Sequence, residues 1–499
     1  MSRPPAPGAR RTSPLIVLVH TVTFRQARQF VPVVLALAAS VGIRGGTPTI
    51  VGLVAGVTAL SLVTALIAWY RFSYADGPTS VVVTRGLLAR SERTVPNDRV
   101  RGVEVEAPAL HRVFGLVRVR IDAAAGGTKD KDEELVVDGV PRAEGDRLRV
   151  SVLTHRAVGL APADPAQPET ASAELVPAEP DEEEFTRFDN RWLLYAPLVG
   201  SYLAVPLAAA GALYRVISDL RNNLLPQLAG PYLEDPRSLG LLATVALVLL
   251  VAGSVVGAAM LNWGFRLVRR GGSLSVTRGL ITRRHTELEI DRIRGAAVTA
   301  GLGMRLVRAA RVNALMTGLG DAGRRGQLLP LGPRSEAWRL AHRLVEEPGP
   351  LLPHPSAARR RRLTRAVLPG GILTVAGLIA TPLAGWWGLL AAGLVLVAVC
   401  VPAGLGRYAA LGHATGPRSF AVRSGWLVQE HTVLQRRAVV GWRVQQTFFQ
   451  RRAGLATAVA CVGAGAGGYA AIDLGAGDVP AFTETASEPW AVTLSQAAN

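Results

Sequence analysis

The chain has 499 residues, with 55 Lys and Arg against 37 Asp and Glu, for a formal net charge of +18. Charged residues are 18% of it and hydrophobic ones 49%, and mean hydropathy is +0.27. That is too apolar for a disordered chain, and two cysteines, Cys400 and Cys461, are too few for a disulfide scaffold.

Residues 1–28 form an N-terminal tail. Arg10-Arg11 resembles the start of a twin-arginine signal, but the apolar stretch from Leu15 to Val19 is too short for a signal core and no cleavage is expected. Leu15, Ile16, Leu18, Val19, Val22 and Phe24 instead predict a segment lying on the membrane surface. Residues 29–71 predict a transmembrane hairpin, with a short apolar arm at 30–43 and a charge-free run at 45–70. A helix needs about 20 apolar residues to cross a hydrocarbon core.

A polar domain at 72–160 and an acidic, Pro/Ala-rich linker at 161–187 follow. The second hairpin, 188–265, carries the charge-free runs 192–214 and 238–265, and a second polar domain occupies 266–350. A Pro/Arg-rich linker at 351–365 includes Arg359, Arg360, Arg361 and Arg362, which read as a topology determinant that also attracts anionic headgroups. The third hairpin, 366–406, turns at Pro382, Gly385 and Trp386-Trp387, and residues 407–499 form the last domain. The expectation is therefore an α+β membrane protein with six spans in three hairpins.

Arginines flanking the spans set its orientation. Arg25, Arg28, Arg71, Arg187, Arg191, Arg266, Arg269, Arg270, Arg359 to Arg362, Arg365 and Arg407 fall on the side of the termini. The other side has Arg44 and the diluted set Arg215, Arg221 and Arg237 with Asp219, Glu234 and Asp235. This excess places the termini and all three polar domains in the cytoplasm.

The polar domains open alike. Residues 80–126, 273–319 and 419–465 align without a gap, at shifts of 193 and 339. Val83-Thr84-Arg85-Gly86 matches Val276-Thr277-Arg278-Gly279 and Val422-Arg423-Ser424-Gly425, a strand followed by a glycine turn and another strand. Asp98-Arg99-Val100-Arg101-Gly102 matches Asp291-Arg292-Ile293-Arg294-Gly295, of which the third copy keeps Val439 and Gly441. Arg112 matches Arg305 and Arg451. Pro141-Arg142-Ala143-Glu144 and Pro333-Arg334-Ser335-Glu336 predict a closing helix, for which the third copy offers Ser487-Glu488-Pro489.

With these motifs and the preceding hairpins, the chain resembles bacterial PH-like domain membrane proteins of the YdbT type. The resemblance implies three PH-like antiparallel β domains, each closed by a C-terminal helix, and no defined activity.

Chemistry is sparse. Gly463, Gly465 and Gly468 match a dinucleotide motif, but no helix pattern follows and a loop is expected. His285 with Glu287 and Glu289 shares one strand face, expected to be solvated rather than a metal site. No cofactor is expected. The only lysines are Lys129 and Lys131, and the arginines distribute over membrane flanks and β domains, so the partner expected is the bilayer and not nucleic acid.

The favoured reading is a non-enzymatic polytopic protein of the bacterial inner membrane. Its cytoplasmic domains would bind lipid headgroups, a membrane protein partner or another copy of the chain. The candidate contacts are Arg85, Arg99, Arg101, Arg112, Arg278, Arg292, Arg294, Arg305 and Arg451. The alternative is a transport, efflux or channel component regulated by those domains. The absence of Asp, Glu, Lys and His from the span centres weighs against a proton- or ion-coupled pump.

Overall fold

The computed structural model describes residues 9–22, 47–86, 91–97, 100–123, 134–159, 182–221, 236–317 and 326–487. Arg99, the first hairpin arm at 30–43, the linker from 161 to 181 and all of Ser487-Glu488-Pro489 after Ser487 lie outside the described residues.

The first repeat holds α1 (Leu15–Val22), α2 (Thr47–Tyr70), β1 (Ser73–Asp76), β2 (Ser80–Arg85), β3 (Ser91–Pro96), β4 (Val100–Ala107), α3 (Ala109–Val113), β5 (Leu116–Ala123), β6 (Glu134–Pro141) and α4 (Arg142–Gly159). After β7 (Glu182–Arg187) and a 3-10 helix (Asn190–Leu198), the second holds α5 (Gly200–Arg221), α6 (Pro236–Asn262), β8 (Arg266–Arg270), β9 (Ser273–Arg278) and β10 (Arg283–Glu289). It ends with β11 (Ile293–Gly301), α7 (Leu302–Leu306), β12 (Ala309–Met316), β13 (Gln327–Pro333) and α8 (Arg334–Leu344). The third opens with α9 (Ser356–Ala384), α10 (Trp387–Ala409), β14 (Gly412–Thr415), β15 (Ser419–Ser424) and β16 (Val428–Gln435). It closes with β17 (Val439–Gln445), α11 (Phe448–Arg452), β18 (Leu455–Val462), β19 (Gly468–Gly475) and α12 (Val479–Thr485).

The repeated motifs have repeated backbone reasons. Gly86, Gly279 and Gly425 all have positive φ, at 148°, 105° and 90°. A Cβ on Gly279 would sit 2.0 Å from the carbonyl oxygen of Thr282, and one on Gly425 2.0 Å from that of Val428, so the turn admits glycine alone. In the Asp-Arg-x-Arg-Gly segment the register of the strand pair slips at the same place each time: Val100/Gly102, Ile293/Gly295 and Val439/Gly441. The third copy keeps the two residues that flank this bulge.

The chain divides into two compact units, residues 1–183 with 264–288, and residues 184–263 with 289–499. In the first, β1-β2-β3 form one sheet and β6-β5-β4-β10-β9-β8 run in order through another. Alternation along β2 turns Val81 and Val83 inward against Val103, Val119, Ile121 and Val137, and Leu148 and Val152 of α4 close the core. Arg147 fixes that helix by bonding Glu144 at 2.7 Å and Asp76 of β1 at 3.0 Å. The sequence predicts α1 at the membrane surface. The structure turns one of its faces to protein: Ile16 and Val19, 2% and 1% exposed, pack with Leu116. His20 meets Asp138 at 3.3 Å from the same helix.

In the second unit, β13-β12-β11-β16-β15-β14 form one sheet and β17-β18-β19 another. Phe420, Leu434, Tyr469 and Phe482 centre the third repeat's core. Its closing helix is α12, upstream of the expected Ser487 start, with Asp478 as N-cap and Pro480 in the first turn. Gly463, Gly465 and Gly468 form the turn into β19, as the loop reading expects.

Three helices among the described residues are long and apolar enough to span a membrane: Ala243–Asn262, Ser356–Leu383 and Trp387–Ala409. The last two form a close hairpin. A Cβ on Gly377 would lie 2.5 Å from the Leu390 backbone, and one on Gly393 2.5 Å from that of Thr374. Gly385, with φ of +66°, makes the turn before exposed Trp386 and Trp387. The 192–214 run is not one helix. The 3-10 segment, capped by Asp189 on the Arg191 N–H at 2.9 Å, bends by 73° into Gly200–Gly211. Pro197 lacks the N–H that would continue an α-helix through the bend.

Candidate functional site

Antiparallel pairing joins successive repeats. β10 of the second pairs with β4 of the first, with Arg284 facing Glu106 and Thr286 facing Glu104. One repeat on, β16 pairs with β11, and the counterpart residues face each other again: Glu430 with Thr299 and Thr432 with Ala297. The register is the same at both junctions.

An arginine braces each one. Arg112 of α3 donates to the Leu280 carbonyl at 2.6 Å, in the turn between β9 and β10. Arg305 of α7 donates to the Trp426 carbonyl at 2.8 Å, in the turn between β15 and β16. Leu280 and Trp426 are themselves repeat counterparts, as are the two arginines.

Beside the first brace lies a cleft of about 430 Å³. Its lining includes Arg112, Arg142, Arg149, Arg270, Arg283 and Arg284, with His285 and Asp146. Some of this charge is answered locally: Arg284 pairs with buried Glu106 at 3.0 Å, and Arg270 with Glu182 at 2.6 Å. Arg142 and Arg283 are exposed at the mouth. A cluster of guanidinium groups in a cleft of this size suits a phosphate or carboxylate group.

His285, expected on a solvated face, is largely buried here. Thr277 Oγ1 lies 3.1 Å from Nδ1, Ser275 Oγ 3.4 Å from Nε2, and the Arg149 guanidinium touches the ring. Burial, reinforced by the Arg149 and Arg270 charges, pushes its pKa down to about 4. It is therefore neutral at pH 7 and adds no charge to the cleft. No group of three metal-ligating side chains occurs among the described residues.

The second junction keeps the frame and fills the space. Arg305, Arg334, Arg423 and His431 line a remnant of about 20 Å³. Trp338 occupies the helix position that Asp146 holds in the first repeat, and its ring meets His431 edge-on with centroids 4.5 Å apart.

A second concentration of basic groups surrounds the start of α9. Arg361 and Arg362 both reach fully buried Asp473, each at 2.7 Å, and Gln450 donates to the same carboxylate at 2.8 Å. Half of the arginine run read as a membrane determinant thus ties α9 to the third module. Arg360 and Arg365 instead line an open groove of about 800 Å³ with Phe449 and Arg452 of α11. Phe448 and Phe449 are 72% and 71% exposed.

The predicted arginines do not converge. Arg112 and Arg305 share the bracing role. Arg85 lines a separate pocket with His20, Trp69 and Asp138. Arg278 ends β9. Arg292 pairs with Glu289 at 2.6 Å, and Arg294 donates to the Asp291 carbonyl at 3.0 Å. Arg451 is exposed on α11. Arg99 and the side chain of Arg101 lie outside the described residues. Arg142, Arg149, Arg270, Arg283 and Arg284 escaped sequence reasoning because two repeats assemble the cleft. The available signal was His285 aligning with His431.

The family described as Bacterial PH domain matches residues 27–155, 223–347 and 370–486, once per repeat. The chain is 25% identical over 300 residues to the UPF0699 transmembrane protein YdbT of Bacillus subtilis (strain 168). That similarity covers 58% of this chain and 59% of the relative, less than two thirds of its length. No solved structure matches.

Proposed function

Because this chain belongs to the bacterial PH domain family, we propose that it is a non-enzymatic, multi-pass protein of the bacterial cell membrane whose three modules face the cytoplasm and dock on anionic lipid headgroups. Six spans in three hairpins fit the charge-free runs of the sequence. The arginine excess at their cytoplasmic ends sets the orientation.

The observation that carries this reading is the groove at the foot of α9. Arg360, Arg365 and Arg452 surround exposed Phe449 where an apolar helix of spanning length begins. An aromatic ring at headgroup depth and guanidinium groups beside it match the two components of an anionic bilayer surface. Each arginine near such a surface contributes about 1 kcal/mol. Three tethered modules sum such weak contacts.

The test uses the full chain in nanodiscs of phosphatidylcholine alone or with phosphatidylglycerol. Amide exchange in Phe448–Arg452 is expected to slow when phosphatidylglycerol is present. The Arg360→Glu, Arg452→Glu double variant is expected to abolish that difference. Equal exchange of the parent chain in both bilayers would refute headgroup docking.

A further inference from the structure

We infer that the chain assembles head to tail with a second copy of itself, the exposed edge of β17 in one copy pairing antiparallel with β3 of the next. Inside the chain, the first strand of one repeat's second sheet always takes the third strand of the following repeat's first sheet: β4 takes β10, and β11 takes β16. One strand of each kind is left without such a neighbour among the described residues. Among the described residues β17 ends the sheet β17-β18-β19, and β3 ends the sheet β1-β2-β3.

Both internal junctions use one register, so the third has a defined prediction. Counterparts of Glu106 and Thr299 lead to Gln445, and counterparts of Arg284 and Glu430 lead to Ser91. Ser91 thus faces Gln445, Thr94 faces Trp442, and Pro96 faces Val440. The whole of β3 overlaps β17, which a random pair of edges would not give. Arg451 fits the same logic. It is the third counterpart of Arg112 and Arg305 and lies exposed on α11. Added strands of this kind draw affinity from main-chain hydrogen bonds. The contact is heterologous, so it builds rings or open filaments rather than isologous dimers. One facing pair is unfavourable: Arg443 opposes Arg93. That pair makes the register testable.

This inference rests on the reading that all modules share one membrane face. In a Cys400→Ala, Cys461→Ala background, a chain carrying Ser91→Cys and a differently tagged chain carrying Gln445→Cys are co-reconstituted and oxidised. A mixed disulfide dimer is expected, with neither chain cross-linking to itself, and Thr94→Cys in place of Ser91→Cys giving little product. Arg443→Glu is expected to raise the yield about threefold, and Arg451→Ala to lower it. Native mass spectrometry of the unsubstituted chain in mild detergent is expected to show oligomers that grow with concentration. A monomer there, together with no mixed disulfide, overturns the assembly. Labelling with an impermeant maleimide separates the two failures. If both cysteines label from one side, only strand pairing is refuted; if they label from opposite sides, the shared-face reading falls as well.

Discussion

The ring of Trp338 stands edge-on to His431, with centroids 4.5 Å apart, where the first junction holds an open cleft between Asp146 and His285. One helix position thus carries a small carboxylate at the open junction and an indole at the filled one. Asp146→Trp is expected to close the first cleft without disturbing the strand pairing beside it. Thermal stabilisation of the full chain by inorganic phosphate is expected in the parent and absent in the variant. The reciprocal Trp338→Ala change removes a half-buried ring and is expected to cost about 1–3 kcal/mol, read as a lower melting temperature in detergent.

Asp473 accepts from Arg361, Arg362 and Gln450 while fully buried, and its φ of +63° is one that Asn tolerates. Asp473→Asn keeps the backbone and removes the charge from beneath two guanidinium groups. The expected loss is about 3–5 kcal/mol, measured by chemical unfolding of the detergent-solubilised chain. Replacing Arg360 and Arg365 together, which leaves the Asp473 pairs intact, is expected to change that stability little.

Three histidines give the fold a directional pH dependence. His285, His413 and His431 are each held down to about 4, chiefly by burial and then by neighbouring positive or histidine groups. The unfolded chain takes up protons at these sites near the ordinary value of about 6.5, whereas the folded chain resists until about 4. Their contribution is therefore complete above about pH 6.5 and lost as pH falls toward 4. Unfolding midpoints measured from pH 7 to pH 4 are expected to fall, and a His285→Gln, His431→Gln variant to fall less.

Gly377 and Gly393 let α9 and α10 approach until a side chain would reach the partner's backbone at 2.5 Å. Gly377→Leu is expected to separate the two helices. The readout is a lower melting temperature and greater protease sensitivity in the turn around Trp386, while Gly371→Leu, where a Cβ meets nothing within 4 Å, serves as the tolerated control.

Much of the repeat was legible because its signals are local. The glycine turns at Gly86, Gly279 and Gly425 and the bulge at Gly102, Gly295 and Gly441 impose their backbone geometry within a few residues. The Pro141 and Pro333 helix starts act over the same range. The bend within 192–214 is not legible in its charge-free composition, although Pro197 carries the clue. The segment from Leu15 suits both a bilayer and a protein face: Ile16 and Val19 pack on Leu116, far along the chain, while Leu15 and Leu18 stay exposed. The arginines escaped for the same reason. A cleft drawing Arg142 and Arg149 from one repeat and Arg270 and Arg283 from the next has no contiguous motif to find.

The recurring register of the junctions β4–β10 and β11–β16 carries a consequence for how such chains grow. A copy inserted between any two neighbours meets the same edge before it and offers the same edge after it. Lengthening the gene by one module would demand no new recognition surface between sheets. Copy number in this architecture is then free to drift while the grammar of its joints stays constant.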